Sequence, residues 1–390
     1  LIVTGHHLDD QSETFLLALK RGAGLKGLSA MSECIEVEQE SQSDNEIAIN
    51  NNALTKKQYR LVRPLLSISR QEIHDYALQH QLTWIEDESN ENLRFDRNFI
   101  RHQIMPLLVK RWPSIQTTIK RSSEHCQEGQ LLLDELAAED LHKCQLASHQ
   151  LSIKVLSELS IARFNNLLRY FIKTHHGLMP STKQLKQIHQ QIFAANDKTP
   201  AVKVANYWLR RYRDALYLTA DYLSLTDWQA QISLKQYPGS TADTELQKQI
   251  IGLPDGLGQL TVDNLSAISS EAYVNIEENI EENIEENIEE NIEKAATYHI
   301  IKVPCQTESF TIRFTHQNPK CLPEFRQRSR ELKKVLQELS IPPWQRKRIP
   351  FIYDGNTLVG AVGYFICKEY LAKAGESSIV ISLSNSDNSD

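Results

Sequence analysis

The sequence predicts an α/β domain at the front of the chain, incomplete at its N-terminus, followed by a mainly helical domain and a small α+β domain. Three observations predict it. The chain opens on an apolar, β-rich run, Leu1-Ile2-Val3-Thr4-Gly5, which turns directly into a helix start. Residues 114–145 carry one long amphipathic pattern, and 153–195 keeps helical spacing at Leu156, Leu159, Phe164, Leu167, Leu168 and Phe171. From 201 onward short β-rich runs dominate. With 390 residues, two or three domains are expected, and we divide the chain into 1–125, 126–222 and 223–390.

Each element has its own signal. Residues 1–5 read as a buried strand. A helix follows over about 10–20, with capping-box-like spacing of Asp10 and Glu13, and Gly22 ends it. Residues 36–58 are polar and without a period, and read as a surface loop. YRLVRPLL at 59–66 reads as a short strand closed by a proline turn, and Ser69 caps a helix over 70–80. Trp84 to Asn98 reads as a loop, and 99–109 returns to apolar spacing around Pro106. Residues 201–219 predict a hairpin, and 223–263 a second β unit that turns at Pro254-Asp255-Gly256. Strands are expected at 299–303, 310–315 and 350–366, a basic helix over 328–339, and a polar tail from Ser382 to Asp390.

Composition excludes several classes. Hydrophobic residues make up 41% and charged residues 24%, which suits ordinary cores and not a disordered chain. No run approaches the roughly 18 apolar residues of a membrane-spanning helix. The cysteines at 34, 126, 144, 305, 321 and 367 form no C-x-x-C pair, against a zinc ribbon or a disulfide framework. They fit a reducing, cytoplasmic compartment. The net charge of −7 is local in origin. Residues 275–294 are a low-complexity N-I-E-E array, and Ile276 to Glu293 holds nine Glu; without them the remainder is +2. A four-residue period drifts about 40° per repeat on a helix, so the Ile stripe stays on no single face. The array reads as an expanded loop with no catalytic role.

The strongest chemical cluster is His6-His7-Leu8-Asp9-Asp10 with Glu13 behind it. It follows a strand and opens a helix, the place where α/β sheets bind ligands and where phosphate is favoured. Its carboxylates could hold Mg²⁺ or accept a proton, or simply cap the helix. Gly22-Ala23-Gly24-Leu25-Lys26-Gly27 matches G-x-G-x-x-G but follows a helix instead of a strand, so it reads as a helix stop and not a dinucleotide loop. Three basic segments follow. Residues 94–121 hold Arg94, Arg97, Arg101, Lys110, Arg111, Lys120 and Arg121 against Asp96. Residues 203–213 interleave Lys203, Arg210, Arg211 and Arg213 with Tyr207, Trp208 and Tyr212. Residues 320–348 hold nine bases against three Glu. Basic patches among aromatics, three times over, favour RNA as a partner.

These pieces, in this order, resemble the bacterial tRNA(Ile)-lysidine synthase family. The resemblance rests on TGHHLDDQSETFLLALKRGAGLKGLSAM at 4–31, LVRPLL at 61–66 and WIEDESNENLRFDRNFIRHQIMPLL at 84–108. It continues in MPS at 179–181, NYWLRRYRDALYL at 206–218 and LKKVLQELSIPPWQRKRIPFIYDGNTLVGAVG at 332–363. It implies a PP-loop (adenine nucleotide α-hydrolase-like) catalytic domain and two tRNA-binding domains. The implied reaction uses ATP and Mg²⁺ to adenylate a cytidine of isoleucine tRNA with a CAU anticodon. The ε-amine of free L-lysine then displaces AMP. The implied catalytic residues are His6, His7, Asp10 and Arg97, with Asp10 as the base. Asp9, Glu13 and Arg101 would lie at the nucleotide. Arg94, Arg111, Arg210, Arg211, Lys333, Lys334, Trp344 and Arg346 would hold tRNA. A homodimer stays open, and no membrane is implied.

The family's S-G-G-x-D-S phosphate loop does not occur in these 390 residues. It is expected upstream of Leu1, and the polypeptide is expected to be inactive without it. The alternatives are a non-catalytic RNA-binding remnant, or another PP-loop tRNA-modifying enzyme such as a thiolating one, which the unpaired cysteines disfavour.

Overall fold

The first helix begins where the chain can satisfy its own orphan amides. In the computed structural model α1 runs Leu8–Lys20, capped at His7, and the His7 N–H donates to Asp10 Oδ2 at 3.0 Å. Asp10 is therefore the third helical residue, and the cap lies one turn earlier than the Asp10/Glu13 spacing suggested. At the other end Gly22, with φ of +66°, lets its N–H reach the Leu19 carbonyl and the Ala23 N–H reach that of Ala18, both at 3.0 Å. This is a Schellman stop, which explains the first glycine of the G-x-G-x-x-G string.

The structure describes residues 1–39, 57–85, 88–193, 200–234, 248–265, 297–373 and 376–384. The N-I-E-E array lies outside them. The described chain falls into two units, Leu1–Leu218 and Thr219–Asp390.

In the first unit, β1 (Ile2–Val3) pairs in parallel with β3 (Lys57–Val62), which pairs antiparallel with β2 (Cys34–Gln39). Strands β2 and β3 therefore take both ends of the segment that read as loop; 40–56 lies outside the described residues. Ile2 and Val3 are exposed, where a buried strand was expected, because β1 has a single strand neighbour among the described residues. Helix α3 (Arg70–Gln79) follows its Ser69/Glu72 capping box. A short helix α2 (Leu25–Leu28) precedes β2. Helix α4 (Asp96–Phe99), a π-helical turn at Ile100–Ile104 and α5 (Met105–Arg111) follow in succession, with Pro106 in the first turn of α5, where its missing N–H costs nothing. Helix α6 (Ile115–Cys144) spans thirty residues, as its periodicity predicted.

Helices α7 (Ile153–Glu158), α8 (Ile161–Thr174) and α9 (Thr182–Ile192) build the next core. Phe164, Leu167, Leu168, Phe171 and Ile172 occupy one face of α8 and are all at most 1% exposed. Each such burial contributes about 1.5–3 kcal/mol. The hairpin expected at 201–219 is a three-stranded meander, β6 (Ala201–Val204), β7 (Tyr207–Tyr212) and β8 (Ala215–Ala220). It joins β4 (Gln145–Ala147) and β5 (Gln150–Ser152) in a sheet of order β4-β5-β8-β7-β6. The segment thus adds a five-stranded sheet to its helices. Asp140, at the end of α6, is 1% exposed and is held by the Arg163 guanidinium of α8, which locks that helix into this core.

The second unit stacks strands around a single apolar core. One sheet has order β18 (Phe365–Ile366), β17 (Thr357–Ala361), β16 (Phe351–Asp354), β13 (Ser309–Arg313), β9 (Gln229–Ser233). Another has order β10 (Gln249–Gly252), β11 (Gln259–Leu265), β19 (Ser378–Ser384), β12 (Thr297–Lys302). Residues 382–384, expected in the tail, thus belong to an inner strand. A two-stranded ribbon pairs β14 (Lys320–Cys321) with β15 (Arg330–Glu331), so the helix expected from 328 starts later, as α10 (Leu332–Glu338). Helix α11 (Pro343–Arg346) follows. Leu332, Val335 and Leu336 of α10 meet Phe310, Phe351, Val359 and Phe365 in the core.

His299 on β12 gives this unit an acid weakness. Its Nε2 accepts the Gly363 N–H at 2.9 Å, and burial pushes its pKa down to about 4. The unfolded chain binds this proton near pH 6.5 and the folded chain only near 4. Stability is therefore complete above the higher value and falls as pH drops through the window, by about 3 kcal/mol. Urea unfolding of the second unit between pH 7 and pH 4 checks this. His299→Gln keeps an acceptor for Gly363 and is expected to flatten that part of the profile; an unchanged slope contradicts the assignment.

Candidate active site

The N-terminus of α1 and the 96–104 segment are tied by two carboxylates and two arginines. Arg97 donates from Nε to Glu13 Oε2 at 2.7 Å and from Nη2 to Asp10 Oδ1 at 3.0 Å. Arg101 donates from Nε to Glu13 Oε1 at 2.6 Å and from Nη2 to Asp10 Oδ1 at 3.2 Å. The two arginines lie four residues apart and so share one helical face, as Asp10 and Glu13 share a face of α1 by their spacing of three. Charge-assisted forks of this kind are strong and directional. Desolvation works against the Arg101 charge, yet Glu13 and Asp10 raise its pKa above the ordinary guanidinium value.

Glu13 is 1% exposed, so its carboxylate acts through the arginines and is not presented to a nucleotide. Arg97 keeps 41% of its side chain exposed and is the cation this cluster offers outward. His6 and His7 are half-buried beside it. His6 Nδ1 lies 2.9 Å from Thr4 Oγ1. The His7 ring stands between two carboxylates, Nε2 3.4 Å from Asp10 Oδ2 and Nδ1 3.6 Å from Asp9 Oδ2, and its buried Nδ1 has no hydrogen-bond partner. Asp9 accepts the Arg70 N–H at 2.9 Å and Gln116 Nε2 at 2.7 Å. Burial opposes its charge, but the interactions with His7, the Arg70 amide and Gln116 prevail and hold its pKa at about 2.

This geometry decides what the cluster can hold. The outward Arg97 guanidinium is where an anionic phosphate ester would meet positive charge, while Asp9, Asp10 and Glu13 set three carboxylates against two guanidinium groups in the rest of the cluster. Mg²⁺ fits less well. Both oxygens of Asp9 and both of Asp10 are already taken by protein donors. Among the described residues no group of three His, Cys, Asp or Glu side chains could hold a metal ion.

The remaining expected residues lie apart from this cluster. Arg94 is exposed, and the Arg111 guanidinium lies 6.0 Å from the centre of the Trp112 ring. Arg210 lies 5.3 Å from the Trp208 ring centre on β7. Arg211 points inward: it is 8% exposed and donates from Nη1 to the Ile192 carbonyl at 2.6 Å, so it supports the fold and does not face a phosphate. In the second unit Lys333 and Lys334 are exposed on α10, with Lys334 3.3 Å from Glu331. Trp344 is half-buried, and Arg346 donates from Nε to the Ile341 carbonyl at 2.8 Å.

Three further residues support the cluster, and of these Gln116 lies in none of the quoted motifs. Gln116 lies 107 residues from Asp9. Gln11 clamps Met31 by donating to its carbonyl at 2.8 Å and accepting its N–H at 2.9 Å. Asn98 is 9% exposed and donates to the carbonyls of Ser89 and Asn92, at 2.9 and 3.0 Å, which folds the preceding loop back. No helix among the described residues is long and apolar enough to cross a membrane.

Comparison with known proteins agrees with the order of these parts. The PP-loop domain family model matches residues 1–108, the TilS substrate binding domain 151–217, and the TilS substrate C-terminal domain 310–383. A tRNA(Ile)-lysidine synthase of Actinobacillus pleuropneumoniae serotype 3 is 36% identical over 369 residues, 94% of this chain and 74% of that protein. The one from Coxiella burnetii is 35% identical over 381 residues, 96% and 70%. The one from Serratia proteamaculans is 37% identical over 366 residues, 94% and 69%. A solved structure described as a TILS C-terminal domain aligns at 13% identity over 36% of this chain and 92% of that one, with a TM-score of 0.24, too low to carry an argument. With three family models in succession and relatives at this identity over most of both chains, the chain belongs to the tRNA(Ile)-lysidine synthase family.

Proposed function

We propose that the protein uses ATP to activate the 2-keto oxygen of the cytidine at the first anticodon position of an isoleucine tRNA with a CAU anticodon. The ε-amine of free lysine then attacks the activated carbon, and lysidine, AMP and diphosphate result. The observation that carries this reading is the Asp10–His7 pair at the mouth of α1, held by Arg97 and Arg101. A keto oxygen leaves poorly, and an adenylate makes it a good leaving group. Arg97 then supplies positive charge where phosphate charge accumulates. A lysine ammonium has no lone pair to attack with, so a proton acceptor has to sit beside it. In Asp10, Oδ1 carries the two arginines, and Oδ2, beside His7 Nε2, is the atom we assign to that proton. ATP brings the adenylyl group. No step is routed through Mg²⁺.

The half-reactions separate in one assay: diphosphate release, which reports adenylation, and AMP release, which reports amine attack, with isoleucine tRNA, with and without free lysine. Since the 390 residues hold no S-G-G-x-D-S string, the assay has two arms, the chain alone and the chain joined to such a loop. AMP release that depends on both tRNA and lysine supports the proposal. Release that ignores lysine in both arms contradicts it, and tight tRNA binding without turnover in either arm favours a non-catalytic RNA-binding protein.

We assign tRNA contacts to Arg94, Arg111, Arg210, Lys333, Lys334, Trp344 and Arg346. The exposed lysines of α10 give the cleanest check. Lys333→Ala with Lys334→Ala is expected to weaken binding of all tRNAs alike and to lower the slope of log K against log salt by about 1 per lost phosphate contact. Filter binding between about 50 and 200 mM salt measures this, and an unchanged slope removes α10 from the contact surface.

A further inference from the structure

Asp9 is where two distant helices, α3 and α6, meet the entrance of α1. It sits on α1 itself, and its Oδ2 takes the N–H of Arg70, the first residue of α3, at 2.9 Å. Its Oδ1 takes Gln116 Nε2 from the first turn of α6 at 2.7 Å. A carboxylate with both oxygens spent in this way has no freedom to rotate. It presents a fixed negative charge 3.6 Å from Nδ1 of His7, on the side of the ring away from Asp10. The ring therefore has one carboxylate near each nitrogen, and the orientation of one carboxylate depends on a glutamine on another helix.

The helix that carries Gln116 is anchored at its far end. Asp140 is held by Arg163 of α8, and Cys144 is fully buried in the core that Phe164, Leu167 and Phe171 build. Nearer the site, Lys120 Nζ donates to Ser67 Oγ at 3.0 Å, just before α3. So α6 is fixed to the segment matched as the substrate binding domain, packs along α1, and supplies the Gln116 side-chain amide at the α1 entrance.

We propose that Gln116 is a positioning residue for the reaction: by fixing Asp9 it sets the His7 imidazole against Asp10, and it makes α6 the strut that ties this geometry to the substrate-binding segment. This rests on the functional reading above. Gln116 does not touch the reacting atoms; it acts through Asp9 and then His7. A glutamine suits the role because its amide is a donor without charge, so it orders the carboxylate without cancelling the field the carboxylate exerts on the ring.

Two variants test this. Gln116→Leu keeps helix propensity and length but loses the donor. Gln116→Glu places a second carboxyl against Asp9, so the pair has to share a proton. The readouts are carboxyl-carbon NMR titration of Asp9, and kcat and KM for lysine and tRNA across pH in the form that turns over. In Gln116→Leu the Asp9 midpoint is expected to rise by about one pH unit, and kcat to fall by about tenfold, with KM for tRNA and the thermal midpoint unchanged. In Gln116→Glu the kcat deficit is expected to shrink as the pH is lowered from about 8 to about 6, because a protonated glutamic acid again donates to Asp9. A loss matched by a lower folded fraction and the same at every pH would leave Gln116 merely structural and overturn the proposal. An unmoved Asp9 titration overturns it as well. Unchanged kcat in Gln116→Leu, with lysidine still made, sinks the proposal alone; no lysidine from the unsubstituted protein sinks the functional reading and the proposal with it.

Discussion

Replacing Arg101 with methionine is expected to destabilise the first unit by about 3 kcal/mol, the low end of the 3–5 kcal/mol seen when one partner of a buried ion pair is removed. Methionine keeps an apolar stem and removes the guanidinium. Glu13, at 1% exposure, then keeps only Arg97 on Oε2 and loses the Arg101 donor on Oε1. The figure stays at the low end because Arg97 remains in place and Arg101 itself is 19% exposed. The double variant Arg101→Met, Glu13→Leu removes both charges together and is expected to recover at least about 1 kcal/mol over the sum of the single changes. Urea unfolding with a constant m-value measures both. A loss below about 1 kcal/mol for Arg101→Met means that the carboxylates do not depend on the clamp.

Asp10→Asn is expected to cut lysidine formation by about 10²–10⁴-fold, the usual contribution of a positioned acid or base. Asparagine keeps the shape but has one acceptor oxygen for the His7 N–H on one side and Arg97 and Arg101 on the other, so the thermal midpoint is measured alongside. What it cannot do is accept the ammonium proton. The adenylated tRNA should therefore accumulate while lysine attack stalls, and this split separates a base from a merely structural residue. Asp10→Asn with adenylation and lysidine formation both intact would remove Asp10 from the chemistry.

Local order was legible where the signal lies within a few residues. The Ser69/Glu72 box, the Gly22 stop and the thirty residues of α6 follow directly from spacing. The His6–Asp10 string and the arginines at 97 and 101 were legible as residue types. Their pairing was not: Arg97 is 84 residues from Glu13 and Arg101 is 91 from Asp10, and no local pattern encodes which carboxylate meets which guanidinium. The same distance hid Gln116. Residues 382–384 of β19 are Ser-Leu-Ser, a pattern that reads as tail; pairing with β11 on one side and β12 on the other makes them strand. Arg211 sat in a basic, aromatic run that suits RNA, but strand alternation turns it inward, away from Arg210 and Tyr212. Residue type gave the chemistry, and only tertiary contact says which groups are spent on the fold.

The most direct test is the mass of the tRNA product. Isoleucine tRNA with a CAU anticodon is incubated with the protein, carrying an S-G-G-x-D-S loop, together with ATP and free lysine. The tRNA is then digested to nucleosides and weighed. The account predicts one cytidine heavier by a lysine less one water, absent when ATP or lysine is withheld and strongly reduced in Asp10→Asn. Consumption of ATP with every cytidine at its original mass, or the same gain without ATP, would contradict it.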